Sequence, residues 1–249
     1  MLAIVSATHE EIVAIANALT NVTTEEFGRR KYHIGRLCDV EVVAVFSRWG
    51  KVAAAATATQ VVTSYAATQV IFTGVAGAIE PTLSIGDIVV GTELIQHDLD
   101  ATPIFQRYEI PLLGKTALVT DPDLRARLTV AAQEFLRHDL STAVLADELA
   151  VFNISSPRVR NGLIASGDKF FASAEEIATV RQQLPAALCV EMEGAAVAQV
   201  CEEYGVSFGI VRTISDAADH NSVHDFPRFS REIAGHYSAG VLSRFLKNG

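Results

Sequence analysis

Glu191, Glu193, Arg212, Asp216 and Asp219 sit at the two ends of one short stretch, between VEMEGAA at Val190–Ala196 and VRTISDAAD at Val211–Asp219. Between the two motifs, Ala195–Cys201 is apolar and helix-favouring, Gly205 suits a helix C-cap, and Val206–Ile214 reads as an apolar strand. Carboxylates gathered where a core strand ends are costly to desolvate, which points to a site rather than to packing. A carboxylic acid in a dry pocket, its pKa raised by burial, can protonate a leaving group. Asp216 occupies such a place, although Ser–Asp pairs also leave strands as Asx turns or caps.

Other residues with chemical potential each carry a second, structural reading. Glu11 closes Thr8–His9–Glu10–Glu11, where Thr-x-x-Glu is a capping box. The positive end of a helix also favours an ionised carboxylate, the form that deprotonates water. A side chain folded back onto Thr8 is not free for water, so these readings compete. Glu193 either opens a helix or accepts hydrogen bonds from paired sugar hydroxyls. Arg212 is a counter-ion for Glu191 or a ligand-site donor. Phe170 and Phe171 after Ser166–Gly167–Asp168 are core or a stacking platform. His220 and His224 have a metal-like spacing but lie in a loop without a third partner, so no metal and no cofactor is expected. Gly74-x-x-Gly77 permits backbone to approach a ligand.

The elements that must position these groups alternate. Leu2–Ser6 reads as a strand and His9–Leu19 as a helix. Tyr32–Leu37 and Val40–Phe46 form a strand pair turned at Cys38–Asp39. Val52–Tyr65 is an Ala/Thr-rich helix feeding the strand Gln69–Thr73, and Asp87–Ile95 is another β-branched run. Residues 98–118 form a long loop. The helix Leu124–Arg137, the strand Arg160–Ala165 and the helix Ser173–Gln183, opened by a Ser-x-x-Glu box, follow. Asp225 caps the last helix, with Pro227 in its first turn. Such alternation means an α/β layered domain with a largely parallel or mixed sheet, whose ligands sit beyond strand carboxyl ends.

Composition narrows the function. The 249 residues carry 49% hydrophobic side chains and no linker, repeat or low-complexity tract, so one domain spanning 1–249 is expected. A net charge of −9, with no Lys/Arg run longer than Arg29–Arg30–Lys31, argues against a nucleic-acid surface. Val52–Ile79 lacks charge but is studded with Thr and Gln, so it reads as buried helix and strand, with no membrane partner. Cys38, Cys189 and Cys201 form no CxxC motif; the last two read as buried thiols. The N-terminus passes from an apolar strand into an acidic helix, so no secretory leader is expected and the location reads as cytoplasmic.

VEMEGAA, ISDAAD, SGDKF at Ser166–Phe170 and THEE at Thr8–Glu11, in that family's order and near its spacing over about residues 2–246, resemble the 5′-methylthioadenosine/S-adenosylhomocysteine nucleosidases. That family lies within the nucleoside phosphorylase/hydrolase superfamily. The resemblance implies a nucleoside phosphorylase-like, three-layer α/β/α domain around a central mixed, largely parallel sheet. It implies hydrolysis of the N-glycosidic bond of 5′-methylthioadenosine and S-adenosylhomocysteine, with Asp216 as the acid at purine N7 beside Ser215. Glu11 would activate water with help from Arg212.

By the same likeness Glu193 meets the ribose hydroxyls, Met192 packs on the sugar, and Phe170 or Phe171 stacks on the purine. Ala7, Gly77 and Glu191 complete the wall, and Phe226 covers the 5′ group. A homodimer is implied, with Ile104, Phe105 and Pro111 of residues 101–111 closing the neighbour's pocket. Val75 departs from the family serine at the water site, and Trp49, beside Arg48, replaces a small aliphatic. Both departures put substrate preference in question. The rivals are a purine nucleoside phosphorylase, which needs cationic phosphate ligands, a nucleosidase for futalosine or AMP, and a non-catalytic nucleoside-binding protein.

Overall fold

Leu2–Ser6 form β1, buried along its whole length as a strand covered on both faces must be. The computed structural model describes residues 1–247. After β1 come α1 (His9–Ala18), β2 (Thr20–Phe27), β3 (Arg30–Leu37) and β4 (Val40–Phe46). β3 and β4 reverse through Cys38 and Asp39, both at positive φ (48° and 63°), the backbone of a two-residue hairpin turn. α2 (Lys51–Ser64) leads to β5 (Gln69–Ala78) and β6 (Ile88–Gln96); a turn-rich stretch then reaches β7 (Leu118–Val119). α3 (Pro122–Glu134) passes through a π turn at Phe135–Asp139 into α4 (Leu140–Ala143), and α5 (Ala146–Val151) precedes β8 (Val159–Ser166). α6 (Ala174–Gln183), β9 (Ala187–Glu191), α7 (Gly194–Tyr204) and β10 (Ser207–Asp216) follow. One helical run ends the described chain: α8 (Ser222–Phe229), a π turn at Ser230–Ala234, and α9 (Gly235–Lys247).

The strands form one mixed sheet in the order β10-β6-β8-β9-β5-β1-β4-β3-β2, with β7 on β6. β10 also pairs with β5 in parallel, so β5, β10, β6, β8 and β9 curl into a closed ring while β1, β4, β3 and β2 extend from β5. Gly77 of β5 is the junction, opposite Val190 of β9 on one side and Asp216 of β10 on the other. α1, α3 and α9 pack together over one face and α2 with α7 over the other, giving helix layers on both sides of the sheet. The expected α/β layering is present. No described helix is long and apolar enough to cross a membrane.

Several local expectations are corrected. β2 has no counterpart in the sequence reading, because all eight of its residues are exposed at the sheet edge and carry no apolar alternation. β10 runs through Ser215 and Asp216, which lie in the strand, past a bulge, rather than after it. The Ser173 box does not form; its hydroxyl makes no cap bond, and Glu176 pairs instead with Lys169 at 2.8 Å. The last helical run starts at Ser222 rather than at Asp225. A turn in which the Asp219 N–H bonds Ser222 Oγ at 2.9 Å and the Asn221 N–H bonds Asp219 Oδ1 at 2.8 Å starts it a turn earlier, leaving Pro227 inside. Cys189 and Cys201 are buried free thiols, as read.

Candidate active site

The junction at Gly77 brings β9, β10 and the tip of β1 to one place. A cavity of about 190 Å³ opens there, room for a small molecule rather than a polymer. A Cβ on Gly77 would lie 3.0 Å from both Asp216 Oδ1 and the Ala218 Cβ, so any larger residue would crowd the acid and press on its turn. Val75 and Gly77 form the floor, with Ser215 and Asp216 on one wall and Glu191, Met192 and Glu193 on another.

Asp216 is 3% exposed, and both its oxygens accept hydrogen bonds. Its Oδ1 accepts the Ala218 N–H at 2.8 Å and the Ser222 hydroxyl at 2.6 Å; its Oδ2 accepts the Ser215 hydroxyl at 2.7 Å. Burial raises its pKa above the ordinary carboxylate value, against the opposing pull of Ser222, Ser215 and the Ala218 amide. A carboxyl of that kind holds a proton to higher pH and can donate it.

Glu193 occupies the N-cap position of α7, and its Oε1 accepts the Gly50 N–H at 2.8 Å. Burial, reinforced by the neighbouring Glu191 charge, pushes its pKa up to about 8. Glu191 is differently placed. Its oxygens accept the Gly194 amide at 2.7 and 2.9 Å, the Glu193 amide at 3.2 Å, and the Ser166 hydroxyl. Arg212 Nη2 reaches the same carboxylate at 2.7 Å, and neither side chain meets solvent. Arg212 is thus the counter-ion of Glu191, stacked over the Phe72 ring at 4.1 Å, and it does not line the cavity. Gly74 makes room for it, since a Cβ there would sit 2.9 Å from the guanidinium.

Glu11 is fully buried, and its carboxylate is taken by hydroxyls: Thr8 at 2.6 Å and Ser6 at 2.8 Å on Oε2, and Ser238 at 2.6 Å on Oε1. It stands one hydrogen bond behind the wall, because Thr8 lines the cavity and Glu11 does not. The Thr8 backbone N–H goes to Ser6 Oγ, so the reciprocal capping box is replaced by a side-chain cage. Burial raises the Glu11 pKa, against the opposing pull of the Ser238, Thr8 and Ser6 hydroxyls and the Arg212 charge.

Rings frame the mouth. Trp49 donates its indole N–H to the Ala7 carbonyl at 2.7 Å and meets Phe226 edge-on at 5.9 Å; Phe226 meets Phe170 at 5.7 Å. Phe171 lies deeper, packed on His97 at 5.4 Å. All four rings and Ala7 line the cavity. Ile104, Phe105 and Pro111 do not line it; Ile104 is 83% exposed. Sequence reasoning missed Ser6, Ser222 and Ser238, hydroxyls that hold Glu11 and Asp216; Ser166 of the SGDKF motif it placed at a strand end, without its bond to Glu191. Ser238 lies 227 residues from Glu11 in the chain, whereas Ser222, close behind Asp216, had a local signal in the Asp219-x-x-Ser222 turn.

The model of the phosphorylase superfamily matches residues 1–247. A 5′-methylthioadenosine/S-adenosylhomocysteine nucleosidase of Anoxybacillus flavithermus is 35% identical over 237 residues, covering 95% of this chain and 94% of that one. The crystal structure of the nucleosidase of that name from Neisseria meningitidis, in complex with methylthio-immucillin-A, superposes with a TM-score of 0.87 at 31% identity, over 100% and 99% of the two chains. The native futalosine hydrolase of Helicobacter pylori superposes with a TM-score of 0.85 at 29% identity, over 100% and 97%. The chain is a member of the phosphorylase superfamily. Within it, the chain belongs to the 5′-methylthioadenosine/S-adenosylhomocysteine nucleosidase family and is an enzyme of the N-glycosyl hydrolase class.

Proposed function

We propose that this enzyme cleaves the N-glycosidic bond of 5′-methylthioadenosine and S-adenosylhomocysteine, releasing adenine and the 5-thioribose product. The observation that carries the reading is Asp216, a buried carboxyl of raised pKa, aimed at a cavity that also holds Glu193 and is edged by aromatic rings. In this reading the C1′–N9 bond breaks with its electron pair moving into the purine, and Asp216 delivers its proton to N7. Water adds to the anomeric carbon and gives a proton to Glu11 Oε1, the oxygen that Thr8 and Ser6 do not fill. Solvent then returns a proton from Glu11 to Asp216, so the cycle balances. Glu193 accepts from the ribose hydroxyls and, in its ionised form, favours the positive charge developing on the sugar. Glu191 serves by holding the α7 N-terminus and Arg212, and Arg212 acts through that pair on the water site.

Residues 101–111 support a homodimer in the same reading: Ile104 is exposed and, with Phe105 and Pro111, stands apart from the chain's own cavity. One domain spanning the chain and a cytoplasmic location belong to the same proposal. Phosphorolysis is disfavoured because Lys169 is the one cation lining the cavity among the described residues, and it is paired with Glu176. The futalosine hydrolase likeness keeps a second 5′-substituted nucleoside in view. The test is adenine or hypoxanthine release from 5′-methylthioadenosine, S-adenosylhomocysteine, futalosine, AMP and inosine, each with and without phosphate. Fast, phosphate-independent release from the first two supports the proposal, and phosphate dependence or exclusive futalosine cleavage overturns it.

A further inference from the structure

Two carboxylates from opposite ends of the chain are held by hydroxyls from a single helical run. α8, the second π turn and α9 are continuous from Ser222 to Lys247. At the start, Ser222 Oγ accepts the Asp219 N–H at 2.9 Å and donates to Asp216 Oδ1 at 2.6 Å. Sixteen residues later, Ser238 Oγ donates to Glu11 Oε1 at 2.6 Å and contacts Thr73 Oγ1 at 2.7 Å. Both serines are buried, so bulk water does not compete. Phe226, between them on the same run, lines the cavity.

Regular helix geometry would not achieve this. Residues sixteen apart in an uninterrupted α-helix lie ~160° apart around the axis, on nearly opposite faces. The π turn at Ser230–Ala234 adds about one residue to the turn, worth ~100°, which brings the two serines to within roughly 60°.

The bonds also select which oxygen does the chemistry. Asp216 Oδ1 is filled by two donors, the Ala218 amide and Ser222, whereas Oδ2 has only the Ser215 hydroxyl, which can turn to accept. The proton is therefore left to Oδ2. On Glu11 the case is parallel: Ser6 and Thr8 fill Oε2, and Ser238 takes one lone pair of Oε1, leaving the other for water.

We propose that Ser222 and Ser238 are positioning residues for the hydrolysis, Ser222 directing the acidic proton of Asp216 onto Oδ2 and Ser238 aiming Glu11 Oε1 at the water. The proposal rests on the nucleosidase reading for its catalytic meaning. Loss of either hydroxyl removes a donor to an anion and so raises the pKa of the carboxyl it served.

The test pairs pH–rate profiles for 5′-methylthioadenosine with carbon-13 carboxyl titrations of the unliganded protein, for Ser222→Ala and Ser238→Ala. Ser222→Ala should move the Asp216 titration, and the limb it governs, up by about one to two pH units. It should leave Glu11 unmoved and lower kcat at least tenfold with KM within about threefold. Ser238→Ala should do the converse, moving Glu11 alone. Cysteine at either position, a weaker donor of similar shape, should give intermediate shifts and covers the case in which alanine fails to fold. Unmoved carboxyl titrations, or kcat lost without any change of profile, would overturn the assignment. A wild-type protein that cleaves no nucleoside would instead sink the hydrolysis reading, and with it the catalytic role given to the serines.

Discussion

Arg212 and Glu191 meet at 2.7 Å inside the closed ring of strands, with neither side chain exposed. Two charges this deep need further partners, which Glu191 has in full and Arg212 in part, its buried Nε being without a hydrogen bond. Glu191 takes two backbone amides and the Ser166 hydroxyl besides the guanidinium. Arg212 rests on the Phe72 ring and the Phe72 carbonyl. The pair ties β10 to the start of α7 and leaves Glu193, two residues on, as the carboxylate free to face a ligand.

Removing one partner of that pair should therefore be costly. Arg212→Met is expected to destabilise the fold by about 3 kcal/mol or more, since it leaves a buried carboxylate without its counter-ion. Pairing it with Glu191→Gln should recover a good part of the loss. Urea unfolding of both singles and the double measures the coupling, and additive losses would show that the two charges do not depend on each other.

Asp216→Asn should cut kcat by roughly 10²–10⁴-fold, the usual worth of a general acid, with little change in substrate affinity. The amide oxygen can still accept from Ala218 and Ser222, so the local turn survives. Stopped-flow adenine release with a parallel binding titration checks it; turnover within tenfold of wild type would remove Asp216 from the acid's role.

Much of the architecture was legible because it is local. The apolar runs of β1, β4 and β10, and α7 with Gly205 at positive φ as its C-cap, follow from periodicity and capping alone. The clustering of Glu193 and Asp216 was legible from motifs at strand ends. What was not legible depends on distant register. The second pairing of β10, which closes the ring, and the bond from Ser238 to Glu11 across 227 residues leave no local trace. β2 escaped for a different reason: an edge strand exposed on both faces need not alternate.

Glu193 links the site to stability. Its carboxyl ordinarily titrates near 4.5 and is pushed up to about 8 in the folded protein, so the native state keeps the proton longer than the unfolded chain. Stability from this group is complete below about pH 4.5 and is lost as pH rises through about 8. Glu193→Gln keeps an oxygen for the Gly50 amide and removes the titration. The variant should gain ~1 kcal/mol or more over wild type above pH 8, while its KM for nucleoside rises. Denaturant midpoints between pH 5 and 9 test the sign; a difference independent of pH would show that Glu193 is ionised throughout.

Trp49 governs the mouth. The ring is 59% exposed, held by one hydrogen bond to the Ala7 carbonyl and by edge contact with Phe226. Replacing it costs little stability, within about 1 kcal/mol, because little of it is buried. Its bulk instead limits what can project past Phe226. Trp49→Ile should leave kcat for 5′-methylthioadenosine within about twofold and raise kcat/KM for S-adenosylhomocysteine relative to it by ~10-fold, the scale at which apolar pockets discriminate by size. The ratio is read from competition between the two substrates in one reaction. If it does not move, the indole lies outside the path of the 5′ group, and other groups at the mouth, Phe226 first, must set the preference.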